Sequence, residues 1–224
     1  MDKQNPPLPS LIRREQGEEM KILVFDTCLD KMYVTLAENE NILSSKIVTN
    51  KDNKYHSAFL ISTIKEVLKE NNLKPNDLGA IGTNIGPGSF TGIRACTTVA
   101  RVMAQQLNID AVGISSLEIL SELNNTNKPC AVILDARKNC GYLSINNEIK
   151  GAVQLEEIDN ILKEKEYFVI TDDKLQERFN SISYQQKEYS LGEILAKLTY
   201  KKLQNGKHEW YKLKPLYIQP PPMG

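Results

Sequence analysis

Residues 23–36 read Leu-Val-Phe-Asp-Thr-Cys-Leu-Asp-Lys-Met-Tyr-Val-Thr-Leu, and residues 132–145 read Val-Ile-Leu-Asp-Ala-Arg-Lys-Asn-Cys-Gly-Tyr-Leu-Ser-Ile. In both, three apolar residues end in an aspartate (Asp26, Asp135) and a tyrosine follows seven positions later (Tyr33, Tyr142). The copies stand 109 residues apart. Each pattern predicts a strand, a tight polar turn and a returning strand, that is, a β-hairpin. Asn-containing turns at 38–41 and 146–148 then lead into a third strand. After each three-strand unit comes a helical period and another apolar strand. In the first half the helix spans about 55–71, with Leu60, Ile64, Val67 and Leu68 on one face, and the strand spans 80–85. In the second half the helix spans 155–163 and the strand 167–171. Ser115-x-x-Glu118 and Ser190-x-x-Glu193 open further helices as capping boxes, the latter burying Leu191, Ile194, Leu195 and Leu198. A repeat of this period predicts an α/β protein of two lobes built from a duplicated β-β-β-α-β-α unit, divided into 20–114 and 115–224.

The bulk properties bound the function. The chain has 224 residues, 28 basic and 28 acidic side chains and 41% hydrophobic content. Zero formal charge argues against a strongly basic nucleic-acid face, which needs clustered Lys and Arg. Lys201, Lys202, Lys212 and Lys214 are the candidates for a local patch, and a solvated face is the simpler meaning. Cysteines 28, 96, 130 and 140 form no C-x-x-C pair, which suits a reduced, cytoplasmic protein. No apolar run approaches a membrane span. Residues 1–19 are Pro-rich, then charged, and read as a disordered leader or an expression-derived tail, with Met20 as the natural start.

Ile85-Gly86-Pro87-Gly88-Ser89-Phe90-Thr91-Gly92-Ile93-Arg94 joins an apolar strand to an amphipathic helix predicted over 93–107. Such a junction suits an anion at the helix N-terminus or the close approach of another backbone. It is neither a Walker A loop nor a G-x-G-x-x-G fingerprint. Arg94 opposes the helix macrodipole. It either pairs with a carboxylate such as Asp26 or is kept for an anion or a partner's acidic group. Asp26, Gly86, Gly88 and Arg94 are therefore the candidate anion or nucleotide contacts.

Met20–Thr27, Gly86–Arg94, Gly113-Ile114-Ser115-Ser116-Leu117-Glu118, Asp135-Ala136-Arg137 and Pro215-Leu216-Tyr217-Ile218 together resemble the bacterial TsaB (YeaZ) family over residues 20–219. The resemblance implies the actin, Hsp70 and sugar-kinase (ASKHA) fold, which is built from the same duplicated unit. It also implies a role in forming N6-threonylcarbamoyladenosine (t6A) at position 37 of tRNAs that read codons beginning with A. In that pathway the transferase TsaD modifies the tRNA. TsaB is implied to be its non-catalytic paralogue and partner, with the small ATPase TsaE joining them, and to meet tRNA only through the complex.

The residues fit a non-catalytic role. An H-x-x-x-H pair on a helix can share a metal ion, but the two histidines here are His56 and His208, and position 60 is Leu60. No catalytic residue and no metal ligand is assigned. The turns after Asp26 and Asp135 carry no glycine within them, which obstructs backbone approach to a phosphate. No intrinsic cofactor is expected, with ATP or ADP bound weakly or within a complex. The competing reading, a small-molecule kinase or ATPase of the same superfamily, needs those glycines. A peptidase would need a histidine beside Ser89 or Thr91, and a helix N-cap is the plainer role for those hydroxyls.

The helix at 93–107 carries two apolar stripes, Ile93/Cys96/Ala100/Met103/Leu107 and Ala95/Val99/Val102, and the helix at 55–71 adds Tyr55 and Phe59 beside its core stripe. Helices apolar on two sides are either sandwiched in their own fold or dock a partner. With the resemblance, Tyr55, Phe59, Thr63, Ala95, Val99, Val102 and Met103 are expected to form a four-helix seam with the matching helices of TsaD, or a homodimer in its absence.

Overall fold

A computed structural model describes residues 19–49, 56–186 and 189–219. Nearly all of the predicted leader, together with Tyr55, lies outside them. The first copy of the repeat forms β1 (Lys21–Asp26), β2 (Met32–Glu38) and β3 (Asn41–Val48), followed by a 3₁₀ turn (His56–Phe59), α1 (Leu60–Glu70), β4 (Ala80–Asn84), α2 (Phe90–Leu107) and β5 (Asp110–Ile114). A short helix, α3 (Ser116–Ser121), leads to the second copy. That copy comprises β6 (Cys130–Arg137), β7 (Cys140–Ile145), β8 (Glu148–Gln154), α4 (Leu155–Lys163), β9 (Phe168–Thr171), α5 (Asp173–Phe179), β10 (Ile182–Ser183) and α6 (Leu191–Gln204).

The two sheets repeat one topology. The first has the order β3-β2-β1-β4-β5 and the second β8-β7-β6-β9-β10. In each, the first three strands form an antiparallel meander, and the last two join in parallel through helical crossovers. The duplicated α/β architecture read from the sequence is the one observed.

Strand β1 is central and buried on both faces, so its four apolar residues run without polar interruption. Leu23 and Phe25 point toward α1 and α2, joining Leu60, Ile64, Val67, Ile93, Cys96 and Ala100. Ile22 and Val24 point the other way, into a core shared with α3, α6 and the inner face of the second sheet (Val132, Leu134, Ile170). The outer face of the second sheet is covered by α4 and α5 through Ile133, Leu143, Ile158 and Leu175. Helix α6, assigned by sequence to the second lobe, packs against β1, β2, β4 and β5 of the first sheet. It therefore ties the halves together. Ser115 caps α3 as expected, accepting the Glu118 N–H at 3.1 Å, whereas Ser190 makes no side-chain cap to α6.

Candidate functional site: a sealed turn and an exposed helix face

The Gly86–Arg94 stretch meets the turn after β1. Ser89 opens α2 as its N-cap, accepting the Gly92 N–H at 3.2 Å, which assigns the hydroxyl the plain role expected of it. The Ser89 N–H donates to the Cys28 carbonyl at 2.8 Å, and the Thr27 hydroxyl donates to the Gly92 carbonyl at 3.1 Å. A Cβ on Gly92 would stand 1.9 Å from the Thr27 carbonyl oxygen, and one on Gly88 2.3 Å from that of Cys28. Gly86, at φ +102°, faces Ile93 and the Leu216 carbonyl. Of the two uses the sequence left open for these glycines, the geometry carries the second, since the chain's own backbone fills the space. Gly86 and Gly88, expected as anion contacts, are here packing glycines.

Asp26 ends β1 and is 2% exposed. Its carboxylate accepts the Cys28 N–H at 2.6 Å and the Asn84 amide at 2.9 Å. Burial pushes its pKa up to about 6, against the lowering effect of those two bonds. Asn84 Oδ1 in turn accepts the Gly86 N–H at 2.8 Å and the Ser116 hydroxyl at 3.0 Å, joining the three motif segments around residues 26, 86 and 116. Arg94 does not pair with Asp26. Its guanidinium lies 3.9 Å over the Phe90 ring and donates to the Tyr217 hydroxyl at 3.4 Å. The C-terminal segment reaches that position because the Leu216 N–H donates to the Ile85 carbonyl at 2.8 Å.

Cys28 and Cys96, which the sequence offers only as small apolar thiols, meet Asp26 at this junction, a convergence that no local spacing reveals. Burial, with Cys96 alongside, pushes the Cys28 thiol well above its ordinary range.

The equivalent turn of the second copy is open. Lys138 and Asn139 form a two-residue hairpin with φ of +49° and +58°, preceded by Arg137 at +63°. Asp135 accepts the Arg137 N–H at 2.8 Å and the Lys174 ammonium at 2.7 Å. Burial raises its pKa, but these two partners outweigh it and leave the carboxyl below its usual range. His208 is bound into the fold, its N–H on Asp110 at 3.2 Å and its ring on the Lys202 carbonyl at 3.0 Å.

Helices α1 and α2 cover the same face of the first sheet, and the 3₁₀ turn ending at Phe59 packs against α2. Phe59, Ile61 and Val102 stay exposed, Val102 at 52%. Ala95, Val99 and Met103 are half-buried beside them. Thr63, expected on this face, is instead buried against the sheet with Ile64 and Val67, because it falls on the inner side of α1.

Strand order and duplication define a two-lobed α/β protein of the actin, Hsp70 and sugar-kinase class. A family model described as "TsaD: tRNA N6-adenosine threonylcarbamoyltransferase" matches residues 39–169, more than half of the chain, and the chain belongs to that family. Its curated relatives place it in the TsaB (YeaZ) branch. The chain is 27% identical over 190 residues (83% of this chain, 85% of the relative) to the tRNA threonylcarbamoyladenosine biosynthesis protein TsaB of Buchnera aphidicola subsp. Acyrthosiphon pisum. It is 29% identical over 136 residues (60% and 58%) to that of Bacillus subtilis. The fold matches YeaZ from Pseudomonas aeruginosa with a TM-score of 0.69 at 18% identity, over 88% of this chain and 99% of that one.

Proposed function

We propose that this chain serves tRNA threonylcarbamoyladenosine biosynthesis as a non-catalytic subunit, docking the transferase TsaD through the outer faces of α1 and α2. The observation that carries the reading is the apolar group Phe59, Ile61 and Val102, left exposed on the 3₁₀ turn, α1 and α2 with half-buried Val99 beside it, while the inner faces of both helices pack on the sheet. Apolar residues clustered on a helix pair are the composition of a helix–helix interface. The sealed turn beneath Asp26 supports the absence of an intrinsic phosphate-binding hairpin and weighs against a kinase. TsaE joins the pair, and tRNA is met through the complex. In the absence of TsaD the same strip pairs with a second copy, and ATP or ADP binds weakly or within the complex. The place of action under this reading is the cytoplasm; among the described residues no helix is long and apolar enough to cross a membrane.

The test is reconstitution of t6A on tRNA from purified TsaD, TsaE and a threonylcarbamoyl-AMP source, with and without this chain. Omission should abolish the modified nucleoside, and Val102→Glu combined with Phe59→Glu should elute apart from TsaD and fail to restore it. A complex surviving those substitutions, or rapid ATP turnover by the chain alone, overturns the reading.

A further inference from the structure

We propose that Asp26, Cys28 and Cys96 form a buried, structural binding site for one zinc ion. The carboxylate comes from the end of β1, one thiol from the following turn and the other from the second turn of α2. Their donor atoms all lie within 4.8 Å of one another, and none of the three residues is more than 2% exposed. Zinc holds sulfur at about 2.3 Å and carboxylate oxygen at about 2.0–2.2 Å in a tetrahedron. Ligand atoms around it therefore stand roughly 3.5–3.8 Å apart, and the site closes with side-chain shifts of about 1 Å or less.

Cys96 and Asp26 stand beside N–H donors, while Cys28 Sγ donates to the Asn84 carbonyl at 3.4 Å. Cys96 Sγ accepts the Thr27 N–H at 3.2 Å. The Asp26 carboxylate accepts from Cys28 N–H and from Asn84, whose own orientation is fixed by Gly86 and Ser116. Donors of this kind orient the metal's ligands and stabilise their charge. Two oxygens are placed to complete a fourth position. Thr27 Oγ1 lies 3.3 Å from Cys96 Sγ, and the Asn84 carbonyl lies 3.4 Å from Cys28 Sγ. Two thiolates with one carboxylate select zinc over magnesium or calcium, which take oxygen ligands. Enclosure makes the site structural, since a catalytic zinc keeps an open position. The exchange balances as one Zn²⁺ entering while the two thiols each release a proton and Asp26 binds as carboxylate. The site joins the turn after β1 to α2 and is independent of the tRNA reading.

The experiment uses the full chain under a non-thiol reductant. Cobalt(II) is titrated into chelator-treated protein, with metal content measured separately by elemental analysis after zinc loading and gel filtration. One ion per chain is expected, with a near-ultraviolet thiolate-to-cobalt charge-transfer band and visible d–d bands of tetrahedral cobalt, all bleached by one equivalent of zinc. Zinc loading should raise the melting temperature. Cys28→Ser and Cys96→Ser should each weaken binding at least tenfold, whereas Cys130→Ser and Cys140→Ser leave the titration unchanged. Should a core substitution unfold the chain, the wild-type titration decides alone. A folded wild-type chain with no charge-transfer band and no stoichiometric zinc overturns the proposal. So does a band that survives the Cys28 and Cys96 changes.

Discussion

Gly92→Ala is the sharpest probe of the sealed turn, because propensity and packing predict opposite signs. Alanine is favoured over glycine inside a helix by about 1 kcal/mol, so on α2 alone the change should stabilise. In the fold, the added methyl would sit 1.9 Å from the Thr27 carbonyl oxygen, 2.7 Å from its carbonyl carbon and 3.2 Å from Cys28 Cα. An ordinary carbon–oxygen contact is about 3.3 Å, so helix and turn must separate by about 1.4 Å. Neither side yields easily. The turn is held by the β1–β2 ladder, and the helix start by the Ser89 cap and the Ser89 N–H on Cys28. Overpacking of this kind costs about 1–3 kcal/mol. Separation also strains the Thr27–Gly92 and Ser89–Cys28 hydrogen bonds, at about 1 kcal/mol each. Net of the helical gain, destabilisation should be about 2–4 kcal/mol, or a melting temperature lower by roughly 4–16 °C for a chain of this size. Urea and thermal denaturation measure it, with Thr98→Ala on the exposed side of the same helix as the control, expected within about 0.5 kcal/mol. A Gly92→Ala chain as stable as wild type, with unchanged near-ultraviolet circular dichroism, would refute the contact.

Other substitutions separate neighbouring residues that look alike in sequence. Val102→Glu should leave monomer stability within about 0.5 kcal/mol of wild type, whereas Thr63→Glu, which places a charge against the sheet, should lose more than about 4 kcal/mol or fail to fold; circular dichroism and urea midpoints distinguish the two. Ser115→Ala should cost about 1 kcal/mol by freeing the Glu118 N–H, while Ser190→Ala, which removes no cap, should change the urea midpoint little. Lys138→Asn should stabilise by about 0.5 kcal/mol, since Asn tolerates the left-handed first position of a two-residue hairpin better than Lys; a higher urea midpoint at unchanged slope is the readout.

The fold was legible because the two strand-turn-strand copies are periodic and local. Their hydrophobic alternation fixes the hairpins, and the spacing to Leu60–Leu68 and to β4 fixes the crossovers. The inner and outer sides of α2 were legible as two stripes, but which of them faces solvent depends on where the sheet lies, and that is a tertiary fact. Thr63 lies on the inner stripe of α1 by its spacing from Leu60, Ile64 and Val67, and only its polar side chain argues for the outer face. The use of Gly88 and Gly92 was ambiguous because an anion and a carbonyl both require the absence of a Cβ. The Cys28–Cys96 convergence was invisible, since 68 residues of chain separate the two thiols.

The difference between the two equivalent turns bears on how the molecule works. After Asp135 the hairpin keeps its left-handed residues exposed, its aspartate tied to a surface lysine and its Asn139 carbonyl accepting the Leu155 N–H at 3.0 Å. After Asp26 the turn is clamped to α2 by Ser89 N–H on Cys28, by Thr27 on Gly92 and by Thr27 N–H on Cys96. These contacts hold the first two turns of the same helix that carries exposed Val102 and half-buried Ala95 and Val99. A helix fixed along its length to a sheet and pinned at its start to a buried network presents those side chains in one arrangement. Binding through such a face loses little conformational freedom, and the affinity recovered from a given apolar area is correspondingly larger. The packing that closes the turn after Asp26 is therefore the same packing that holds the outer face of α2 in one arrangement, as the proposed docking requires. If the proposed docking holds, loosening it by Gly92→Ala is expected to weaken TsaD binding although residue 92 is buried against the Thr27 turn.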